Sequence, residues 1–125
     1  MRRMPVLFLA TVLAAIGCAS SGPPLPPAQV AETEAAIRSA ENAGAAAAAP
    51  ELLNMAHRSF DAGKAEVSRG NPDAARRDLE EARACAAAAE ARANAERLKR
   101  QAAELKGQAD ELESKAKQLQ ERARP

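Results

Sequence analysis

Two cysteines and one histidine are the residues of this chain whose side chains are best suited to covalent or acid–base chemistry. Cys18 follows an apolar run directly, which makes its thiol a candidate for covalent modification. Cys85 can form an intermolecular disulfide in an oxidising compartment, or it can serve as a small apolar core residue; its alanine neighbours favour the core. His57 has no second histidine or cysteine at ligand spacing, so we predict no metal site and place it on a polar helix face.

No other motif of the sequence points to catalysis. The chain has no glycine-rich phosphate loop, no nucleophile motif and no paired carboxylates typical of a cleft. We therefore predict that the protein is not an enzyme, and we expect no catalytic residue, no cofactor and no small-molecule substrate.

The first 18 residues have the pattern of an export signal. Two arginines precede residues 6–16, which are uncharged and largely apolar. Eleven residues are too few for the roughly 20 that span a bilayer, but they suit a signal peptide. The run ends in Ala15-Ile16-Gly17-Cys18, which resembles the lipobox of bacterial lipoproteins.

The lipobox resemblance implies a lipid anchor. It implies that residues 1–17 are removed, that the thiol of Cys18 receives a diacylglycerol, and that its new amine is acylated, for example with palmitate. Ala19 and Ser20 follow instead of aspartate, which by resemblance to Gram-negative sorting rules implies the periplasmic face of the outer membrane. The alternative is an ordinary secretory signal cut after a small residue such as Ala19.

Composition restricts the fold to helices. Alanine fills 34 of 125 positions, the only aromatic residues are two phenylalanines, and the net charge is +1. A chain with so few aromatic and β-branched residues does not fill the core of a β-sandwich or barrel. A charge near zero gives no electrostatic surface for nucleic acid. We predict an all-α protein.

Proline and glycine residues indicate where one segment of the chain ends and the next begins. Four prolines within residues 23–27 predict an extended spacer. We expect a signal peptide at 1–17, a lipidated cysteine and linker at 18–27, an alanine-rich hairpin domain at 28–92 and a coiled-coil helix at 93–125. Helices are predicted at 28–43, at 51–69 and from 73 to about 122. Residues 45–49 can continue the first helix, but Pro50 disfavours a helical conformation at Ala49.

The clearest predicted turn joins the second and third helices at Gly70, Asn71 and Pro72. Glycine ends the second helix, asparagine is expected to cap the third, and proline suits its first position. So short a connection predicts antiparallel neighbours. Their facing stripes are predicted to be Leu53, Ala56, Phe60, Gly63 and Val67 on the second helix, and Leu79, Ala82, Ala86 and Ala89 on the third.

Residues 28–92 resemble a known family. Ala49-Pro50-Glu51-Leu52, the Gly70-Asn71 turn and the alanine spacing around them are similar to an alanine-rich domain of unknown function in bacterial lipoproteins. That domain stands alone behind a lipobox or precedes an OmpA-like domain. The resemblance implies a helical fold and brings no catalytic or ligand residues.

The C-terminal segment has a heptad repeat without a break. Leucine occupies one position, alanine the other, and the flanking residues are mostly charged or amide side chains; the seam consists of Leu98, Leu105, Leu112 and Leu119 with Ala95, Ala102, Ala109 and Ala116. Four heptads predict a coiled coil. Ion pairs four residues apart are expected at Glu96–Arg100, Glu111–Lys115 and Glu113–Lys117.

A third helix of about 50 residues, roughly 75 Å long, exceeds what the two shorter helices can cover. Its leucine stripe then pairs with another copy of the chain, pairs with a different envelope protein, or stays exposed on a monomer. The first predicts a scaffolding role through self-association. The alternative function is an adaptor that binds another envelope protein in the hairpin groove around Leu53, Phe60 and Val67.

Overall fold

Four α-helices and no β-strand make up the part of the chain that the structure, a computed structural model, describes, which is residues 23–124. The helices are α1 (Pro27–Asn42), α2 (Ala45–Ala48), α3 (Pro50–Arg69) and α4 (Pro72–Arg122). The predicted all-α fold with a long last helix is confirmed. The expected signal peptide, Cys18 and the start of the linker lie outside the described residues.

The one-turn helix α2 continues the helical structure after Gly44, and Ala49, which precedes Pro50, is not helical, as predicted. Gly44 separates α1 from α2 with a φ of 90°, a left-handed conformation that glycine adopts without a steric penalty. Ala45 and Ala49 are then buried at 0% and 4% exposure. Alanine has the highest helix propensity, and burial of both ends of this turn makes one turn stable before Pro50 begins α3.

The turn between α3 and α4 forms where the sequence predicts it. Gly70 has a φ of 75°, and its N–H donates to the carbonyl of Val67, while the N–H of Asn71 donates to the carbonyl of Glu66. Both bonds satisfy carbonyls that a helix end leaves free. Pro72 occupies the start of α4, as predicted.

Asn71 does not cap α4 with its side chain, which corrects the sequence prediction. Its Nδ2 donates instead to Oε2 of Glu66 at 2.8 Å. This hydrogen bond, followed by the one from Arg69, lowers the pKa of Glu66 below its ordinary value because both donors favour the charged carboxylate. The side chain of Asn71 thus connects the turn to α3 and not to α4.

The core is built largely from alanine. α1 and α3 pack on the first part of α4, where the predicted stripe of Leu79, Ala82, Ala86 and Ala89 is buried at 2% exposure or less. Large buried side chains are few among the described residues; they are Ile37, Leu53, Phe60 and Leu79. Alanine side chains are small, so they let the helices approach closely but each buries little surface. Much of the stability therefore rests on the four larger side chains.

Two residues depart from the predicted core. Thr33 is fully buried although it is polar, because its hydroxyl donates to the carbonyl of Gln29 at 2.8 Å and leaves its methyl group to pack. Val67 is 43% exposed, which corrects its placement on the buried stripe of α3. It lies in the last turn of α3, beyond the end of the core.

Gly63 lies at a close contact between α3 and α4. A Cβ added there lies 3.0 Å from two side-chain carbons of Leu79 and 3.4 Å from the carbonyl of Ala75. The absence of a side chain on α3 therefore makes room for Leu79 on α4.

We expect Gly63→Leu to destabilise the domain by about 1 to 3 kcal/mol or more, because the new side chain overlaps Leu79 in a close-packed site. Thermal unfolding followed by circular dichroism measures the effect. Ala62→Leu is the matched control, since Ala62 is exposed on the same helix and its change is expected to stay within about 0.5 kcal/mol. Equal melting temperatures for the two variants contradict the packing described.

The second half of α4 extends beyond the core. Ala93 is the last buried residue of the helix, and residues 97–122 are all exposed. α4 continues without a break through residue 92, where the sequence suggested a domain boundary. Within residues 23–124, no helix combines the length and apolarity needed to cross a membrane.

Candidate functional site

The most exposed large apolar side chains of the described chain are the four leucines of the predicted seam. Leu98, Leu105, Leu112 and Leu119 are between 61% and 66% exposed. Scattered apolar residues on a surface are ordinary, but four at a spacing of seven on one helix form a continuous stripe. The alanines of the seam are exposed as well, at positions 95, 102, 109 and 116. We call this surface the Leu/Ala stripe.

The Leu/Ala stripe faces away from the α1–α3 core. Each residue of an α-helix is rotated by about 100° from the one before, so Ala95 and Leu98 lie about 200° and 140° around the axis from buried Ala93. They therefore flank the side of α4 opposite to the core. A helix laid along the stripe does not meet α1, α2 or α3.

The stripe also extends further toward the N-terminus than the predicted seam. Heptad positions carried back from Leu98 and Ala95 are occupied by Ala91, Ala88 and Ala84, and all three are exposed. They lie on the back of the helix whose front is buried against α1 and α3. Alternating buried and exposed alanines give no hydrophobic contrast in sequence, and only the heptad register of the later leucines identifies the outward ones.

Charged side chains on α4 stabilise the lone helix beside the stripe. Glu111–Lys115 and Glu113–Lys117 form ion pairs at 2.7 Å, which confirms the predicted pairs. The predicted Glu96–Arg100 pair is wrong, because Glu96 accepts a hydrogen bond from Lys99 at 3.0 Å instead. This bond is the main reason that the pKa of Glu96 is lowered.

The hairpin groove expected for a partner is not open. Leu53 and Phe60 are 7% and 8% exposed and belong to the core, where Lys64 covers Phe60 with its ammonium 4.7 Å from the ring centre. Only Val67 of the expected groove is exposed. The expected groove therefore offers a partner little exposed apolar surface, and the Leu/Ala stripe is the better candidate surface.

His57 and Cys85, the other residues suited to chemistry, lie among side chains of the helical fold. His57 lies on the surface of α3, with Nε2 3.0 Å from Oε1 of Glu41 in α1. Cys85 is half-buried against the core, beside the alanines that the sequence suggested. Within residues 23–124, no three histidine, cysteine or acidic side chains converge in an arrangement that suits a metal ion.

A family model for a domain of unknown function, DUF4398, matches residues 28–105. The chain belongs to this family. The DUF4398 match begins with α1 and ends at Leu105, so it includes the hairpin and the first two leucines of the stripe. Comparison with curated proteins and with solved structures gave no match.

Proposed function

We propose that this DUF4398 protein is a lipid-anchored scaffold of the cell envelope that self-associates through the Leu/Ala stripe. The observation that carries the proposal is the position of Leu98, Leu105, Leu112 and Leu119 on an unaccompanied stretch of helix, each more than 60% exposed. Burial of a leucine side chain contributes about 1.5 to 3 kcal/mol, so four in line provide a substantial force for association.

The form of the stripe supports a helical partner. Leucine and alanine at the two seam positions are what one helix offers another in a coiled coil, and the unbroken register matches a straight helix of 51 residues. A small ligand needs a concave site, whereas this surface is convex and runs along a helix. A scaffold requires only such a surface and a fixed point of attachment.

The attachment is proposed to be a lipid on Cys18. The Ala15-Ile16-Gly17-Cys18 pattern supports it, together with the short apolar run before it. Ala19 and Ser20 support the outer membrane, with the folded part on the periplasmic side. Acyl chains together with a diacylglycerol provide more than the two lipid signals that stable anchoring requires.

We expect Cys18→Ala to abolish lipid attachment in a Gram-negative host. Metabolic labelling with an alkyne analogue of palmitate, followed by the mass of the purified protein, measures the effect. The unsubstituted chain is expected to start at Cys18 and to carry acyl groups, and the variant to carry none. Cys85→Ala is the matched control and is expected to be labelled fully. Cleavage after Ala19 without label contradicts the anchor but leaves self-association untouched.

Self-association is tested by the mass of the purified chain. Sedimentation equilibrium in a density-matched detergent gives the protein mass independently of bound detergent. We expect a multiple of the single-chain mass that dissociates on dilution. A single-chain mass at all micromolar concentrations contradicts the scaffold proposal.

A further inference from the structure

We propose that the Leu/Ala stripe binds a second copy of this chain in the antiparallel direction, with the two-fold axis near Gly107. This inference rests on the proposed self-association and adds its orientation and register. The partner chain and its direction follow from three features of α4: the sizes of the seam residues, the face they occupy, and the charges beside them.

The sizes of the seam residues favour the antiparallel direction. In a parallel pair each seam position meets itself, so layers of two alanines alternate with layers of two leucines. Alanine layers bring the helices close and leucine layers hold them apart, so a straight pair satisfies neither. In an antiparallel pair every layer combines one alanine with one leucine, and all layers have the same width.

In one antiparallel register, every seam leucine of one copy lies opposite a seam alanine of the other, and all of these residues lie within α4. In this register Leu105 meets the second copy's Ala109 and Leu98 meets its Ala116. Leu112 and Leu119 meet its Ala102 and Ala95 in the same way. Every one of these residues is exposed in the single chain, so the contact surface needs no rearrangement of the domain.

Charges flanking the stripe fit this register. Lys99 and Glu113 occupy the same heptad position, and in an antiparallel pair residues at that position face each other across one edge of the seam. The register brings Lys99 of each copy beside Glu113 of the other, which gives two ion pairs related by symmetry. Their intrahelical partners, Glu96 and Lys117, approach from the outer side and need not leave.

Shifting the pair by one heptad weakens either the seam or the charge pairing. A shift toward the C-termini keeps two ion pairs, now between Lys106 and the second copy's Glu113, but it places Leu98 opposite Ala123, where α4 has already ended at Arg122. A shift toward the domains pairs Arg92 with Glu113 but also places Lys99 beside the second copy's Lys106, twice. The chosen register brings only the two Lys106 side chains together, at the exposed axis. A parallel pair places Gln101 beside Lys106 and Gln108 beside Glu113, with no ion pair.

The face of α4 leaves room for this arrangement. Because the stripe lies opposite Ala93 and the core, the second copy runs along the back of the domain and reaches exposed Ala91 with its C-terminal end. Glu32 near the start of α1 lies 3.6 Å from Arg83 of α4. The two α1 starts are therefore about 70 Å apart at opposite ends of the pair. Anchored at both ends to one membrane, the pair lies along the surface rather than standing on it.

Zero-length cross-linking of the full chain tests the orientation. Normal and ¹⁵N-labelled chains are mixed in detergent, treated with a carbodiimide that joins a lysine amine to a neighbouring carboxylate, and digested for mass spectrometry. Within one helix Lys99 and Glu113 are about 21 Å apart, and in a parallel pair they are equally distant. An isotopically mixed Lys99–Glu113 peptide therefore arises only in the antiparallel pair. Glu113→Gln is the control and is expected to remove this peptide.

The outcomes separate the orientation from self-association itself. We expect the mixed Lys99–Glu113 link to be the main intermolecular product within α4. A dimer whose mixed links join only residues of similar number overturns the antiparallel direction and leaves the scaffold proposal standing. A mixed Lys106–Glu113 link without Lys99–Glu113 overturns the register. A single-chain mass without mixed peptides overturns both proposals.

Discussion

Leu105→Ser combined with Leu112→Ser is expected to convert the associated protein into a single chain. Each leucine has about two thirds of its surface left to bury, so its burial in a pair is worth about 1 to 2 kcal/mol. A dimer loses four such contacts, on the order of 4 kcal/mol, which weakens association about a thousand-fold. Sedimentation equilibrium over a range of concentrations measures the change.

The matched control keeps two serines and moves them off the stripe. Ala103→Ser combined with Gln118→Ser places them in the same part of α4, at exposed positions outside the seam. Serine lowers helix propensity in both variants, so a difference between them reports on the stripe rather than on helix content. An unchanged mass for the leucine variant, or an equal loss for the control, contradicts association through the leucines.

Leu79→Ala is expected to be the most destabilising single truncation in the hairpin. Leu79 is 2% exposed, contacts the space left by Gly63, and is one of few large side chains in a core made of alanine. Truncation of a buried leucine costs about 2 to 5 kcal/mol through lost burial and the remaining cavity. For a domain of this size, that lowers the melting temperature by at least about 8 °C.

Leu98→Ala is the matched control for Leu79→Ala. It is the same substitution in the same helix, but Leu98 is 61% exposed. Both are best measured in the Leu105→Ser/Leu112→Ser background, so that association does not contribute to the melting temperature. We expect the control to change stability by no more than about 0.5 kcal/mol. Equal losses contradict the packing of α4 on α3.

The elements that could be predicted from the sequence are those whose key positions carry a residue type different from that of their neighbours. Gly70 and Pro72 identify the turn because one residue ends a helix and the other begins one. Leucines seven residues apart identify the exposed stripe, and Leu79 anchors the buried stripe of α4. The long helix follows because no proline interrupts it after Pro72 and alanine, glutamate, lysine and glutamine favour it.

The rest could not be predicted because alanine carries little information about burial. Ala45 begins α2, Ala49 follows it, and both are buried in the core, although a run of five alanines has no apolar face to identify. Ala84 and Ala88 face outward while Ala82 and Ala86 are buried, again without contrast between them. Asn71 illustrates a different limit, since the same side chain can cap the following helix or bond to Glu66 behind it.

We propose that a second copy of this chain covers the Leu/Ala stripe in the cell. Site-specific photo-cross-linking of the intact protein in living cells tests it most directly, with a photoreactive residue at Gln101, which borders the stripe without belonging to it. The same residue at Ser114, on the outer side of the helix, is the control. We expect an adduct at Gln101 of twice the single-chain mass that contains only peptides of this chain. An adduct of fixed mass with a different protein, or labelling no stronger than at Ser114, contradicts it.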